Sequence, residues 1–460
     1  MAAEKERQLI MLILIDAMRP DHLGAHGYER PTSPEMDKLA AAGKLYTRVY
    51  ANAPWTRPST TCFLTGLNAS RHRTQTDKSK LPVDITTMAQ RLRRKGWVTN
   101  GFSANGNGGS MAGLHKGFGI FEDPSNTYVR KGLKQRCKRL FGEEIDEKEH
   151  QAAVLADCVR YNRLPTGEFL VNRVLEHLEK SRAKKEFLFV FLVDPHDPYG
   201  APPELERKFL GPDFKGKVRR RAHWEYKNDY PKRERFSLMA IYDASIRYAD
   251  QAIGQLVAGL REQGLYDNTT IFLSADHGEG FGEHGYYLHA YHFVDEIVRI
   301  PLIALGPRFS PGKDDRLAQS LDVVATILQL AGVDADDLPG RSLLEPAQED
   351  THVISEYNEF GIHRQAIIGS RYKVILELPA DEDWFMRTVR DKKYLPSVSF
   401  DKEVIKVFDL QEDPKEKKNL ADKMPEPAAG LLKKLRAFVA AAPENPDESD
   451  TGQRTPQKAK

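Results

Sequence analysis

Five short apolar runs bounded by turn residues limit the fold of this chain more than any other feature of its sequence. They are Leu9–Ile15, Val98–Phe102, Phe187–Val193, Thr270–Ser274 and Ile300–Leu305. Runs of this length without polar alternation are typical of strands buried in a parallel sheet. Helical patterns lie between them, at Met36–Ala42, Ile85–Lys95, Gly167–Lys180 and Leu238–Gln263. Strands that alternate with helices predict an α/β fold with a doubly wound sheet.

The length of the chain predicts more than one folding unit. Its 460 residues exceed the roughly 250–300 residues at which single hydrophobic cores stop growing. We expect a large domain over residues 1–349 and a small antiparallel sheet with a helix over residues 350–441. The small domain is predicted from strand-like runs and one helical pattern, which are His352–Ser355, Arg364–Leu376, Val404–Phe408 and Glu426–Ala441. Residues 442–460 contain almost nothing apolar, and we expect a disordered tail there.

Composition and charge argue against several classes of function. A net charge of +2 gives no general reason to expect a nucleic-acid partner. The run Leu9–Ile15 is too short for a membrane span or a signal peptide, so we expect a cytoplasmic protein without a membrane anchor. Three cysteines with no CxxC pair fit a reducing compartment better than a disulfide framework or a zinc-cysteine site. The sequence leaves the oligomeric state open.

Two basic segments leave two interpretations open. Residues 130–140 are rich in Lys and Arg, and residues 215–235 combine many such residues with Trp224, Tyr226 and Tyr230. Each segment is either a solvated surface loop or a rim that attracts an anionic substrate.

Polar side chains with the chemistry of metal ligands follow three of the apolar runs. Asp16 ends the first run, Asp194 and His196 follow the third, and Asp276 and His277 follow the fourth. Ligands of open α/β sheets bind beyond the carboxyl ends of the strands, so these side chains can meet in space. Carboxylates with an imidazole suit a divalent ion such as Mg²⁺, Mn²⁺ or Zn²⁺. Each residue alone is more often a turn or a helix cap, and their joint occurrence favours a metal site.

A hydroxyl group is predicted at the start of a helix in the segment NAPWTRPSTTCFLTGL, residues 52–67. Pro58 suits the first turn of a helix, which places Thr56 at or just before its N-terminus. Unpaired N–H groups and the helix dipole favour an anion there. Thr56 is then either a metal-bound nucleophile or only a helix cap.

Long segments of the chain resemble the sulfatase family of the alkaline phosphatase superfamily. The similar segments include RPDHLGAHGYERPTSPEMDKLAAAG, APWTRPSTTCFLTGL, FLVDPHDPY and GLYDNTTIFLSADHGEGFGEHG, and the resemblance runs from about residue 8 to about residue 440. It implies an alkaline-phosphatase-like large mixed sheet between helices and a small C-terminal α+β domain. It also implies ester hydrolysis through a covalent intermediate on a metal-bound nucleophile.

The resemblance implies a role for six residues. By position, Asp16, Asp276 and His277 match metal ligands, and Thr56 matches the nucleophile, which also contacts the metal. His196 matches a residue that protonates the leaving group or holds the oxygens of the transferred group. His289 falls near a later basic residue that contacts the anion. The implied cofactor is one divalent ion, which is Mn²⁺, Ca²⁺, Mg²⁺ or Zn²⁺, and the implied partner is a small anionic ester.

The chain departs from the sulfatase pattern at its nucleophile. Sulfatases have Cys or Ser in the pattern Cys/Ser-x-Pro-x-Arg and oxidise it to formylglycine. Here Thr56 takes that position, Thr60 replaces the closing Arg, and Ala17 replaces a second Asp. We expect no formylglycine, because Thr cannot form it, and Cys62 lies about one and a half helical turns away. An unmodified Thr resembles phosphoethanolamine and glycerophosphate transferases and nucleotide phosphodiesterases of the same superfamily.

Three functions remain open from the sequence. The first is a metal-dependent hydrolase or transferase of phosphate mono- or diesters that uses Thr56. The second is a sulfuric ester hydrolase that uses the same Thr without formylglycine. The third is an inactive relative that binds an anion, which the loss of the second Asp and the Arg favours. Retention of the other predicted site residues favours an active enzyme, and the single hydroxyl of Thr favours phosphate esters.

Overall fold

The computed structural model of the protein describes residues 7–123, 167–219, 230–359, 361–380, 382 and 398–443. Within these residues the strands of the large unit are, in chain order, β1 (Gln8–Ile15), β2 (Lys44–Tyr50), β3 (Val98–Ser103), β4 (Ile120–Glu122), β5 (Lys185–Leu192), β6 (Thr269–Ala275), β7 (Gly280–Phe281), β8 (Tyr287–Leu288), β9 (Arg299–Leu305) and β10 (Gly312–Gln319). β7 and β8 form a hairpin. The other eight form one sheet in the order β10-β2-β9-β6-β1-β5-β3-β4.

All five apolar runs lie in strands of this sheet. β1 lies at its centre, where Leu12 is paired with Phe189 of β5 and Phe272 of β6. These three side chains are fully buried. Pairing on both edges of β1 and burial on both faces explain why the run contains no polar residue. The strands β2, β4 and β10 of this sheet were not predicted. The edge strand β10 (GKDDRLAQ) contains no apolar run, because it is mostly polar and partly exposed.

One predicted parallel strand was wrong in its direction. β9, which contains the run Ile300–Leu305, is antiparallel to both β6 and β2. The chain between β6 and β9 stays at the carboxyl end of β6, as the 2.7 Å hydrogen bond from Gly278 N to Ile297 O shows. β9 therefore has to run back in the opposite direction, and the sheet is mixed.

Helices flank the sheet in two groups. They are α1 (Pro34–Ala42), α2 (Thr56–Thr65), α3 (Ala69–His72), α4 (Met88–Arg94), α5 (Gly167–Lys180), α6 (Pro203–Leu210), α7 (Lys232–Glu262), α8 (Asp295–Val298), α9 (Ser320–Leu330) and α10 (Glu426–Ala440). Short 3-10 turns occupy Pro20–His22, Gly24–His26, Ser110–Ala112 and Tyr266–Asn268. The long helix α7 packs against α1, α5 and α6, whereas α9 packs against α2 and α4. The four predicted helices are confirmed, although α4 begins only after Thr87, which caps it in a capping box with Gln90.

The C-terminal part forms a second, antiparallel sheet. Its strands are β11 (Val353–Glu359), β12 (Ile362–Ile368), β13 (Tyr372–Glu377) and β14 (Val404–Asp409), paired in that order. The predicted single run Arg364–Leu376 was wrong, because it is a hairpin of β12 and β13. Gly369 N donates to Tyr372 O at 2.9 Å, which closes a tight turn inside the run.

The small sheet has two apolar faces. Its outer face, with Ile367, Val374 and Val407, packs against α10. Its inner face, with Ala366 and Ile375, packs against segments of the large unit. The predicted fold class, a large mixed sheet between helices with a small C-terminal α+β domain, is confirmed.

Some predictions fall on residues that the structure does not describe. The basic segment 130–140, residues 220–229 of the segment 215–235, Cys137, Cys158 and nearly all of the tail 442–460 lie outside the described residues. Within the described ranges, no helix has both the length and the apolar character needed to cross a membrane.

Candidate active site

The carboxyl ends of β1 and β6 bring three predicted metal ligands together. Asp16 directly follows β1, and Asp276 and His277 directly follow its neighbour β6. Oδ1 of Asp16 lies 3.6 Å, and Oδ2 of Asp276 lies 3.3 Å, from Nε2 of His277. All three residues are fully buried. One ligand atom from each lies within 4.8 Å of the others, so one ion can contact all three.

Hydrogen bonding determines which nitrogen of His277 faces the carboxylates. Nδ1 lies 2.9 Å from the carbonyl oxygen of Gly278, so an N–H at Nδ1 donates to that oxygen. Burial, followed by the nearby His289 and His196, lowers the pKa of His277 well below its usual range. The ring is therefore neutral at pH 7 and presents a lone pair at Nε2, which is the form that binds metal ions.

In each of the two carboxylates, only one of the two oxygens accepts hydrogen bonds from the described residues. Asn105 Nδ2 donates to Oδ2 of Asp16 at 2.7 Å, and the N–H groups of Ala17 and His277 donate to Oδ1 of Asp276 at 3.2 and 2.9 Å. Oδ1 of Asp16 and Oδ2 of Asp276 are buried and have no hydrogen-bond donor within the described chain. Burial raises the pKa of both carboxyl groups, and the charge of Asp16 raises that of Asp276 further.

This donor set fits a divalent cation. Two carboxylate oxygens and an imidazole nitrogen converge, and each is an acceptor when the carboxyl groups are ionised. Burying such groups costs free energy unless a cation or donors compensate them. Oxygen and imidazole ligands suit ions such as Mg²⁺, Mn²⁺ and Zn²⁺.

Thr56 lies beside this cluster at the start of α2. It is the first residue of the helix, after Trp55, and is only 3% exposed. Its Oγ1 lies 3.2 Å from Nε2 of His277. Ser59, one turn further on, donates from Oγ to the carbonyl oxygen of Asp276 at 2.6 Å, which ties the helix start to the end of β6. The unpaired N–H groups and the dipole of this helix start favour negative charge on the Thr56 oxygen and on a group transferred to it.

Two further histidines extend the site. The ring of His289 lies 4.2 Å from that of His277, centroid to centroid, and 5.2 Å from that of His196. Burial, then the proximity of His196, lowers the pKa of His289 well below its usual range. An N–H at Nδ1 of His196 donates to the carbonyl oxygen of Asp197. The structure thus groups all six predicted residues.

Glu279 is a residue of this site that the sequence did not predict. It is fully buried, and its Oε1 lies 3.0 Å from Nδ1 of His289. A carboxylate at Nδ1 holds a histidine ring in one orientation and one tautomer. The sequence contained a signal, because Glu279 stands two residues after His277 in the same strand-end segment, DHGEG.

Asn105 is the second such residue. It follows β3, whose carboxyl end lies at the same edge of the sheet as that of β1. Besides its bond to Asp16, it accepts at Oδ1 a 2.8 Å hydrogen bond from the N–H of Asn107. Asp16 was predicted because polar residues just beyond the carboxyl end of a strand can bind a ligand. The same criterion, applied to the end of β3, predicts Asn105.

The departures from the sulfatase pattern have structural counterparts. Ala17 has a left-handed backbone with φ of 57°, and its carbonyl oxygen accepts a 2.7 Å hydrogen bond from Tyr242. Arg57 does not replace the missing Arg, because its guanidinium donates to Ser79 O at 2.9 Å and to Asn107 Oδ1 at 2.7 Å.

Two polar residues of the predicted motifs belong to the scaffold. Asp194, directly beyond β5, accepts at Oδ2 a 3.0 Å hydrogen bond from the N–H of Gly167 at the start of α5. Cys62 is fully buried in α2, with its sulfur 3.5 Å from Nε2 of His72. Neither residue belongs to the Asp16, Asp276 and His277 cluster.

Comparison with protein families and known proteins gives consistent similarities. Residues 8–333 match the family model described as Sulfatase, and residues 282–440 match the model described as N-sulphoglucosamine sulphohydrolase, C-terminal. A choline-sulfatase of Rhizobium meliloti is 24% identical over 90% of this chain and 82% of its own length. An arylsulfatase of Clostridium perfringens is 24% identical over 89% of both chains.

Solved structures share the fold. The phosphonate monoester hydrolase of Agrobacterium radiobacter superposes with a TM-score of 0.72 and 19% identity, over 95% of this chain and 96% of that one. At this identity the likeness concerns the fold, including the large sheet and the small C-terminal sheet.

Proposed function

Because this chain belongs to the sulfatase family of ester hydrolases, we propose that it cleaves an anionic ester with Thr56 as the nucleophile and that phosphate mono- and diesters are its better substrates. One observation carries the proposal. Oγ1 of Thr56 lies 3.2 Å from the lone-pair nitrogen of His277, within the cluster that His277 forms with Asp16 and Asp276. A nucleophile beside a cation-binding cluster at a helix start is suited to displacement at sulfur or phosphorus.

Enzymes of this family bind a divalent metal, and this chain contains residues that fit one. Asp16, Asp276 and His277 would hold the ion, and the identity of the ion among Mn²⁺, Ca²⁺, Mg²⁺ and Zn²⁺ is left to measurement. When bound, the ion supplies positive charge that stabilises an anionic Thr56 oxygen and the oxygens of the transferred group.

The chain's own residues account for both chemical steps. Oγ1 of Thr56, having lost its proton to solvent, forms a bond to the sulfur or phosphorus atom as the bond to the leaving oxygen breaks. That oxygen takes a proton from His196. Water then attacks the Thr56 ester and gives one proton back to His196, and Thr56 is released. His289, oriented by Glu279, contacts the oxygens of the transferred group.

The single hydroxyl of Thr56 favours phosphorus over sulfur. Formylglycine forms a gem-diol whose second hydroxyl helps to expel sulfate by elimination. Thr56 has no second hydroxyl, so water has to attack the transferred group itself. Compensated charge on the oxygens of a phosphorylated Thr permits this attack. A sulfated Thr has no matching elimination route and should turn over slowly.

A paired assay tests this proposal. An aryl phosphodiester, the matched aryl phosphate and the matched aryl sulfate are compared on metal-loaded wild type, Thr56→Ala and Thr56→Ser. We expect the diester to have the highest kcat/KM. Thr56→Ser should keep part of the activity because it keeps the hydroxyl, whereas Thr56→Ala should lose it.

Two results would change the conclusion. Faster cleavage of the sulfate that still depends on Thr56 would make the protein a sulfuric ester hydrolase without formylglycine. Folded, metal-loaded protein that cleaves none of the three esters would favour an inactive relative that binds an anion.

A further inference from the structure

A cavity of about 270 Å³ lies between the small sheet and the segment that carries His289. One wall is the inner face of the small sheet, with Arg364 of β12 and Lys406 of β14. The opposite wall is formed by His284, Tyr286 and residues 291–294. Pockets for drug-sized ligands begin near about 300 Å³, so this cavity suits one ring with a small substituent.

The wall of the small sheet carries more positive than negative charge. Arg364 donates from Nε to Oε2 of Glu377 at 2.8 Å and from Nη1 to the carbonyl oxygen of Tyr291 at 3.1 Å. The side chain of Lys406 has no ion pair or hydrogen bond with any residue in the described ranges. Burial and then the charge of Arg364 lower the pKa of Lys406, although Glu377 opposes this. The two cations therefore repel each other, and an anion placed between them would relieve that repulsion.

The opposite wall presents flat ring faces. The rings of Tyr286 and His292 are stacked, with centroids 3.5 Å apart and planes 13° from parallel. The ring of His284 is also close to parallel with that of Tyr286, at 22°, with the two centroids 6.0 Å apart. Burial lowers the pKa of His292 well below its usual range, so its ring is neutral at pH 7. Aromatic faces of this kind pack against another ring in an offset or edge-on arrangement.

The ring wall is continuous with the segment that leads to the nucleophile. Ala290, next to His289, donates its N–H to the carbonyl oxygen of Pro54 at 3.1 Å. Trp55, which directly precedes Thr56, belongs to the same apolar cluster as Tyr286 and Phe293 of the cavity wall. The chain segment that lines one side of the cavity thus also carries His289 of the candidate active site.

We propose that this cavity is a substrate subsite that binds a ring carrying a second anionic group, such as a carboxylate, with Lys406 and Arg364 holding the anion and Tyr286 and His292 packing on the ring. The proposal rests on the proposed function, and it narrows the substrate to an ester with two anionic groups. Lys406 determines the preference because Arg364 is already paired with Glu377.

Two matched substrates test the subsite. Both are aryl esters of the class that the protein cleaves fastest. One carries a carboxymethyl group on the ring, and the other carries the methyl ester of that group. The methylene insulates the scissile bond, so the two leaving groups are similar. Because the substrate carboxylate would form a hydrogen-bonded charge pair with Lys406, we expect wild type to prefer the charged substrate by roughly 10-fold in kcat/KM.

Lys406→Met removes the charge and keeps the apolar stem, and it should abolish most of that preference. Lys434→Met is the matched control. Lys434 pairs with Asp350 on the exposed side of α10, which covers the opposite face of the small sheet. The control should keep the wild-type preference. An equal preference in all three proteins, or no preference in wild type, would overturn the subsite.

A binding measurement separates failure of the subsite from failure of the proposed function. 4-Hydroxyphenylacetate, the alcohol released from the charged substrate, is titrated into wild type, Lys406→Met and Lys434→Met by calorimetry. Weaker binding in Lys406→Met alone supports the subsite even if no ester is cleaved. Binding that does not depend on Lys406, or no binding to wild type, contradicts it.

Discussion

At the scale of single residues, the candidate site is governed by two buried carboxylates that face a neutral imidazole. Asp16 and Asp276 have no Lys or Arg within ion-pair distance among the described residues. An uncompensated buried charge is costly, so the site requires a cation in order to keep both groups ionised. Thr56 lies beside the same cluster, with its Oγ1 3.2 Å from Nε2 of His277.

Removing one carboxylate should remove the ion. In Asp276→Ala we expect loss of stoichiometric divalent metal, loss of activity, and loss of the rise in Tm that metal gives to wild type by binding the folded state. Elemental analysis and thermal unfolding measure these effects. Asp250→Asn is the control, because Asp250 is also buried but accepts from the N–H groups of Glu35 and Met36 at the start of α1. Full metal occupancy in Asp276→Ala would refute the assignment.

His196 should matter most for poor leaving groups. Proton donation typically contributes ~10²–10⁴-fold to a rate, and a good leaving group needs less of it. In His196→Ala the loss in kcat/KM should therefore shrink across a series of aryl esters as the pKa of the phenol falls. A loss of the same size for every member would instead make His196 a residue that binds the oxygens of the transferred group.

At the scale of elements, strand ends position the chemistry. The apolar runs predicted β1, β5 and β6, and the polar residues directly beyond two of them are metal-ligand candidates. The sequence missed edge strands, since a strand such as β10 that is half open to solvent has no apolar run. It also missed Asn105 and Glu279, because an Asn after a strand and a Glu after a His are common in loops. Only their contacts with Asp16 and His289 distinguish them.

The loop after β3 should tolerate no side chain at Gly108. A Cβ there would lie 2.2 Å from Cε1 of Phe191, so the backbone that carries Asn105 would have to shift. We expect Gly108→Ala to cost about 1–3 kcal/mol of stability, as overpacking does, and to lower activity. Gly430→Ala, in the exposed part of α10 with nothing within 4 Å, should instead stabilise by about 0.5–1 kcal/mol. Urea unfolding and kcat/KM compare the two, and equal stability of both variants would contradict the packing.

Glu186 at the start of β5 should make stability depend on acid pH. Burial alone would raise its pKa, but hydrogen bonds from His177, Arg7 and Ser181 lower it to about 2. A depressed carboxyl pKa stabilises the fold above the unfolded value near 4.5 and loses that effect as the pH falls toward 2. The shift corresponds to roughly 3 kcal/mol.

Glu186→Gln tests this linkage. The difference in unfolding free energy between wild type and the variant should be largest at pH 7 and should shrink below pH about 4.5. Urea unfolding from pH 7 to the acid limit of stability measures it. Other carboxyl groups titrate in both proteins, so their contributions cancel in the difference of unfolding free energies. A difference that stays constant with pH would mean that Glu186 is not stabilised as a carboxylate.

At the scale of the whole molecule, a buried ion cluster joins the small sheet to the segment near the site. Nζ of Lys373 on β13 lies 2.6 Å from Asp295 of α8 and 2.8 Å from Glu416, and it donates to Phe293 O at 2.9 Å. Lys373 is fully buried. The cluster therefore fixes the position of the small sheet against residues 293–295, close to the cavity and to His289.

Lys373→Met should destabilise the protein strongly. It leaves the buried Glu416 without its cation, and breaking such a pair typically costs about 3–5 kcal/mol. Lys434→Met, which breaks an exposed pair, should leave the unfolding free energy almost unchanged. Denaturant unfolding of both variants checks the contrast, and a loss below about 1 kcal/mol in Lys373→Met would show that the cluster does not join the two sheets as described.

The use of Thr56 as the nucleophile can be tested directly by trapping its ester. Metal-loaded protein is mixed with an aryl phosphodiester, quenched in acid during turnover and digested, and the peptide that contains Thr56 is analysed by mass spectrometry. We predict that this peptide carries the transferred group on Thr56, and that Thr56→Ala carries none and does not turn over. Turnover without an adduct on Thr56, or an adduct on another residue, would contradict it.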